Sequence, residues 1–265
     1  MYVRDNSIVF SFDNNNEFTQ VLTINLNDFS AKSKAFKKPM IDVKPNDKKS
    51  NSFINGNHIF IIANNKEKLV LNIVNYNNKE ILKSYSILKD EPITFKNTPI
   101  IQEGGSYNNY RELEKTKKFL RKINVNEVGV SVRKLNGIYH LTLGGYTLQS
   151  NGGTMMMGGF GGLPITSFGN VSIFFNPAQF AYNSISNTKS TRIESLFDEH
   201  FNHIEGEIQE NAFDKIKKNE KEIQDNVFNS DSEKGGTIFK YKDYFIKGTY
   251  NYESKIYTLK KFTDN

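Results

Sequence analysis

The sequence predicts a mainly β fold: degenerate repeats of antiparallel strands resembling β-propeller blades, with two or three short helices inserted. Three observations predict it. Short apolar runs, alternating or continuous, recur between Asn-rich turns. Two Asn-Gly pairs, Asn55-Gly56 and Asn136-Gly137, stand between such runs, and both residues of that pair tolerate the positive φ of a tight hairpin turn. Residues 14–17 and 64–67, Asn-Asn-Asn-Glu and Asn-Asn-Lys-Glu, open two similar stretches fifty residues apart. Each continues into an apolar strand, an Asn-rich turn and a strand holding Lys-Ser, at Lys32-Ser33 and Lys83-Ser84. A period of about 40–50 residues with three or four strands is that of propeller blades.

The elements follow in order. Strands are expected at 8–12, where Ile-Val-Phe-Ser-Phe alternates, at 18–26, and at 31–36, ended by Lys37-Lys38-Pro39. A polar stretch at 44–52 leads to the Asn55-Gly56 hairpin. Strands at 58–63, 68–74 and 80–88 follow, parted by Asn-rich turns. A third unit has strands at 128–134, 137–143 and 171–175, and Lys189-Ser190 recurs in its last strand. A fourth reads as a meander at 237–241, 244–251 and 255–262. The expected organisation is one β-repeat domain with candidate units 1–50, 51–105, 124–200 and 205–265. Residues 110–123 fit a helix with Leu113, Leu120 and Ile123 on one face, and 208–223 a helix with Ile208, Ala212, Ile216 and Ile223 together. Residues 191–204 fit two patterns. Thr191-x-x-Glu194 matches a capping box, yet the same residues alternate. The repeat favours a strand over 188–197 and a loop beyond it.

Composition narrows the classes. A chain of 265 residues and 30.4 kDa buries roughly 70–75% of its unfolded surface and needs no disulfide staples. It has no cysteine, which excludes thiolate zinc sites, iron–sulfur clusters and cysteine nucleophiles. No apolar run approaches the ~18 residues of a membrane-spanning helix. The net charge is +6, and thirty of the 35 basic residues are Lys. Lys offers point charges where Arg offers bidentate forks, so the excess is weak support for nucleic-acid recognition, and no nucleic-acid partner is expected. The start shows no apolar leader core. Localisation is therefore cytoplasmic as written, or cell envelope or secreted if a leader was removed.

The most unusual segment is 144–169, with nine of the eighteen glycines and the run Met155-Met156-Met157. Glycine frees the backbone and methionine adapts to irregular surfaces, so Met155, Met156, Met157, Phe160 and Phe168 are the candidate binding residues of a mobile loop. The competing reading is an interstrand loop whose Met and Phe pack on the protein's own core. No phosphate-binding loop is present: Pro164 stands where the dinucleotide fingerprint needs Gly or Ala, and no Gly-Lys-Ser/Thr occurs. His200-x-x-His203 with Glu205 offers imidazole and carboxylate ligands for a metal, but a solvated acidic turn is the plainer reading. His58 and His140 sit in or beside strands and read as satisfied strand histidines. Lys115, Lys117, Lys118, Arg121 and Lys122 form the solvated face of a helix or, alternatively, meet an anionic partner. No nucleophile elbow or complete calcium loop occurs, and no cofactor is called for.

Gly-Gly-Thr-Met-Met-Met-Gly-Gly-Phe at 152–160, Phe174-Phe175-Asn176-Pro177, Ala181-Tyr182-Asn183 and His203-Ile204-Glu205-Gly206-Glu207-Ile208 carry a resemblance. The chain resembles a group of uncharacterised, β-rich, propeller-like proteins of AT-rich Bacteroidetes, over its C-terminal two-thirds. The group has no known activity, so the resemblance transfers no functional residue. It implies the later part of a longer, exported, repeat-built protein. The expected function is a non-catalytic β-repeat interaction or scaffold protein, with a protein partner or self-association through the Gly/Met loop. A glycan-acting hydrolase is the first alternative, since Tyr, Asn and carboxylates suit sugar contacts. An anionic-surface or nucleic-acid binder is the second.

Overall fold

The computed structural model describes residues 1–41, 48–104, 110–148, 188–212, 214–216, 218–219, 233–241 and 244–264. They gather into two compact units, 1–148 with 188–208, and 209–264. The chain is mainly β, in four antiparallel sheets; the described residues form no closed barrel or propeller.

The first sheet is a meander of β1 (Tyr2–Arg4), β2 (Ser7–Phe12), β3 (Phe18–Asn25) and β4 (Ala31–Lys37). The second is a meander of β5 (Lys49–Asn55), β6 (His58–Asn64), β7 (Lys68–Asn75) and β8 (Ile81–Leu88). The two use the same turn chemistry fifty residues apart. Asn15 Oδ1 accepts the N–H groups of Glu17 and Phe18, and Asn65 Oδ1 those of Glu67 and Lys68. Asn25 Oδ1 accepts the N–H of Asn27, and Asn75 Oδ1 that of Asn77. A short amide side chain that bonds the backbone two residues on mimics a turn, which is why Asn marks these corners. The hairpin signals resolve differently. Asn136 and Gly137 both have positive φ, 50° and 84°. Asn55 instead closes β5 opposite His58, so Gly56 and Asn57 are central and only Gly56 (φ 54°) is positive. That is the turn with Gly at its first central position.

The second sheet lies between two cores. Ile54, Ile59, Ile61, Val74 and Tyr76 pack on Val9, Val21 and Phe36 of the first sheet. Phe53, Phe60, Ile62, Leu71 and Ile73 point the other way. They meet the third sheet, ordered β10 (Arg111–Leu113), β9 (Ile100–Gly104), β13 (Thr188–Phe197), β12 (Ile138–Leu148) and β11 (Glu127–Leu135). Its inner face contributes Val130, Val132, Leu141, Leu143, Ile193 and Phe197, and the helix α1 (Thr116–Val125) adds Phe119, Leu120 and Ile123. Consecutive residues of β6 thus alternate between two cores, and the strand reads as a continuous apolar run.

Several expectations need correction. β5 begins inside the stretch 44–52 read as a polar connection. Its polar residues each have a partner: Lys38 Nζ donates to Ser50 Oγ (2.6 Å), the Val130 N–H donates to Asn51 Oδ1 (3.0 Å), and Ser52 Oγ donates to Asp13 Oδ2 (2.8 Å). Residues 111–113 are a strand, not the first turn of a helix, because Arg111, Glu112 and Leu113 pair with Gln102, Ile101 and Ile100. α1 therefore starts at Thr116, whose Oγ1 donates to the Glu91 carbonyl at 2.6 Å. Residues 188–197 form β13, with a turn after it. Gly144 and Gly145 belong to β12 rather than to a loop. A Cβ at Gly144 would overlap the Thr191 carbonyl oxygen and crowd Arg192, and one at Gly145 would press on Ile123 of α1.

The second unit holds a three-stranded meander of β14 (Glu233–Tyr241), β15 (Tyr244–Asn251) and β16 (Ile256–Phe262). Residues 212, 214–216, 218 and 219 are helical, within the expected helix, and Ala212 and Ile216 are fully buried. Asp264 Oδ1 accepts the Ala212 N–H and Lys215 Nζ donates to the Thr263 carbonyl, tying this helix to the end of β16.

Candidate functional site

Strand pleating sorts the side chains of β14–β16 onto two faces. The register places Ile238, Phe245, Lys247, Lys260 and Phe262 on one face. Phe245, Lys247 and Phe262 are buried there. The other face carries Phe239, Tyr241, Tyr244, Ile246, Tyr250, Tyr257, Leu259 and Lys261. It is open: Phe239 is 42% exposed, Tyr241 49%, Tyr257 50% and Leu259 59%. Isolated exposed apolar residues are ordinary; here four share one sheet face, two on β14 and two on β16 with β15 between them. Its centre is aliphatic and phenyl, and its ends are tyrosines. Lys261 Nζ sits over the Tyr244 ring at 4.2 Å, and the Tyr241 and Tyr244 rings lie 5.6 Å apart. A Cβ on Gly248 would meet the Tyr257 ring, so the glycine lets that tyrosine lie flat across the sheet. Tyrosine supplies large contact area with two side-chain torsions and a hydroxyl, the profile of protein-contact residues.

Among the described residues, the third sheet carries a file of titratable side chains that looks catalytic on paper. On the face away from the core, Arg133 Nε donates to His140 Nδ1 at 2.7 Å, and His140 Nε2 meets Glu194 Oε2 at 2.8 Å. Arg192 Nε reaches Glu194 Oε1 at 3.2 Å, and its Nη2 reaches Glu103 Oε2 at 3.3 Å. The first bond fixes the tautomer. Nδ1 accepts, so Nε2 carries the proton and donates it to Glu194. Both ring nitrogens are engaged, which leaves His140 no lone pair for a substrate proton or a metal. Burial pushes the Glu194 carboxyl up, but the His140 ring and the Arg192 guanidinium outweigh it and hold it down at about 2. The file is a neutralised polar ladder, and it matches the expectation of a satisfied strand histidine. Gly144 sits opposite Arg192 and leaves room for that side chain to cross the sheet. His58 is also engaged. Its ring packs edge-on against Phe201 at 4.8 Å, and burial, with Lys134 nearby, lowers its pKa.

The other sequence-derived sites fall as follows. Met155, Met156, Met157, Phe160 and Phe168, with the strand expected at 171–175, lie outside the described residues. His200, His203 and Glu205 lie in the turn after β13 and not on a helix. His203 Nε2 is 2.9 Å from Asn97 Oδ1, and Asp198 Oδ1 accepts the N–H groups of His200 and Asn202. Among the described residues, no group of three or more His, Cys, Asp or Glu is placed to hold a metal ion. Lys115, Lys117, Lys118 and Arg121 are exposed, and α1 buries its other side. Burial, then Arg111, Lys189, Arg121 and Lys118 around it, lower the Lys122 pKa.

The sequence reading missed the aromatic face. The signal was available in the alternation of Phe239 and Tyr241, Tyr244 and Ile246, and Tyr257 and Leu259, once the three strands were paired in register. No helix among the described residues is long and apolar enough to cross a membrane. No protein-family model, curated protein or solved structure matches the chain.

Proposed function

We propose that the protein is a non-catalytic β-rich interaction or scaffold protein that binds a protein partner through the open face of β14–β16. The observation that carries this reading is that face, with Phe239 and Tyr241 of β14 and Tyr257 and Leu259 of β16, either side of β15, each between 42% and 59% exposed. The blade-like repeat belongs to the same proposal: it draws support from the matching Asn15/Asn65 and Asn25/Asn75 turns of two meanders that stack face to face. The Gly/Met segment at 152–162 is the proposed second contact. The test is crosslinking capture from native lysate with the wild-type chain, the Phe239→Ser/Tyr241→Ser variant and a 152–162 deletion. The expected result is a discrete partner captured by wild type and lost with the double substitution. Capture unchanged in both variants rejects the reading.

One observation favours a second reading. Arg111, Lys118, Arg121 and Lys189 all bear on Lys122, a cluster of like charge on and beside α1 that an anionic surface would relieve. Retention on heparin that falls steeply with salt, and is reduced in Lys122→Glu, is its expected signature.

A further inference from the structure

We propose that β16 is a self-pairing edge: two copies of this chain join β16 to β16, antiparallel, about a two-fold axis through Leu259, to make one six-stranded sheet. The inference deepens the interaction reading above by naming a second copy of the chain as the partner at this edge.

The sheet order puts β16 at an edge, and among the described residues no strand pairs with its outer side. Six of its seven side chains are exposed. An edge strand presents unpaired N–H and C=O groups, and proteins that avoid pairing guard such edges with charged or small residues. β4 is guarded in this way: its exposed residues are Ala31, Lys32, Ser33, Ala35 and Lys37. β16 carries Lys260 and Lys261 near its end, but over the rest of its length it exposes Ile256 (59%), Tyr257 (50%) and Leu259 (59%), apolar groups on both faces.

Register identifies the partner. A two-fold axis normal to the sheet keeps each face continuous across the junction, so opposed residues must lie on the same face. The seven residues 256–262 overlap themselves fully in one register, centred on Leu259. It sets Leu259 opposite Leu259 and Tyr257 opposite Lys261 on the aromatic face, and Ile256 opposite Phe262 and Thr258 opposite Lys260 on the other. No lysine opposes a lysine, and each Tyr257 ring gains an ammonium neighbour. Moving the axis to Lys260 would oppose two lysines, and moving it to Thr258 would set Lys255 against Lys261. The sequence of the edge thus complements itself where the overlap is greatest. A seven-residue edge buries less than the ~1,200 Å² of a standard interface, so the pairing is concentration-dependent.

The native chain has no cysteine, so a single introduced thiol reports one position. Leu259→Cys brings two thiols together at the axis, where opposed Cβ atoms lie about 4.5–5.5 Å apart. Phe29→Cys, at a residue 76% exposed in the first sheet's last turn, is the control for random collision. With a short bis-maleimide, Leu259→Cys is expected to form covalent dimer at least tenfold faster than Phe29→Cys. In sedimentation, wild type is expected to shift with concentration towards twice the 30.4 kDa chain mass, and Leu259→Lys to remain at the chain mass with an unchanged unfolding midpoint. Crosslinking of Leu259→Cys at the Phe29→Cys rate, or a wild-type mass that Leu259→Lys leaves unmoved, overturns the proposal. Neither readout involves Phe239 or Tyr241, so self-pairing and partner capture by the open face can each fail alone.

Discussion

The sheets β5–β8 and β14–β16 are both antiparallel meanders with short polar turns, and they differ in what covers them. Ile59, Phe60, Ile61 and Ile62 of β6 are fully buried because each face of that sheet meets another layer. Ile256, Tyr257 and Leu259 of β16 are apolar yet half or more exposed. Apolar content alone therefore does not place a strand inside. The difference is visible in the pattern: 58–63 is apolar at nearly every position, whereas 256–262 interleaves apolar residues with Thr258, Lys260 and Lys261. A sheet buried on both faces has no side left for charge, while an open one must carry it.

The largest test of this contrast is truncation. Phe60→Ala is expected to cost about 3–5 kcal/mol in urea unfolding, the loss of a buried aromatic plus its cavity. Leu259→Ala is expected to change stability by less than about 0.5 kcal/mol, as surface substitutions do. Similar costs at the two positions would mean that the face of β14–β16 is covered.

The buried ladder of the third sheet gives the next effect. The folded-state Glu194 carboxyl is held at about 2, below its ordinary 4.5. Its stabilisation is therefore complete above pH 4.5 and is lost as pH falls towards 2. The span corresponds to about 3 kcal/mol of linkage. Acid titration of the unfolding midpoint is expected to show this limb in wild type and a flatter one in Glu194→Gln.

Two glycines sharpen the comparison further. A Cβ at Gly144 meets backbone, the Thr191 carbonyl and the Arg192 Cα, which cannot step aside without moving β13. Gly144→Ala is expected to cost about 1–3 kcal/mol by thermal or urea unfolding, the range for overpacking. A Cβ at Gly248 meets the tip of Tyr257, an exposed side chain free to swing away. Gly248→Ala is expected to be near neutral, and a cost equal to that of Gly144→Ala would show that Tyr257 is pinned.

A second pH-dependent effect, of opposite sign, lies where the first two sheets meet. Lys38 Nζ donates at 2.6 Å to the Asp13 and Asn15 carbonyls and to Ser50 Oγ, from a fully buried side chain. Burial draws its pKa down to about 8 from 10.5, against the pull of Asp13. Between those values the unfolded chain holds the proton more firmly, so stability is expected to rise as pH climbs from 8 to 10.5. Lys38→Met is expected to flatten that slope in unfolding curves taken across the interval.

Much of this was legible in the order of residues. The strands β2, β3, β4, β6, β7 and β8 and the meander β14–β16 announce themselves through alternation and Asn-marked corners, which act over two to eight residues. β13 was legible too, because Ile193 and Phe197 alternate with polar neighbours along a strand that buries one side. β5 was not, because Ser50, Asn51 and Ser52 look like loop until Lys38, Val130 and Asp13 supply their partners. Nor was β10: Arg111 to Leu113 takes extended form only against β9. His140 and Glu194 are 54 positions apart, and nothing near either one signals the other.

Local chemistry settles what answers to local causes: the β character, the turn corners, the amphipathic helix α1 and the absence of thiol chemistry. An Asx turn, a positive-φ glycine or a period-two pattern is complete within a few residues, so reading along the chain finds it. Which sheets stack, which glycine faces a backbone, which lysine is buried and which apolar face stays open were settled by contacts between distant segments. Gly144 against Arg192, Lys38 against Ser50 and Arg192 against Glu103 exist only after the sheets have formed, because each depends on the close approach of chains that the sequence keeps apart.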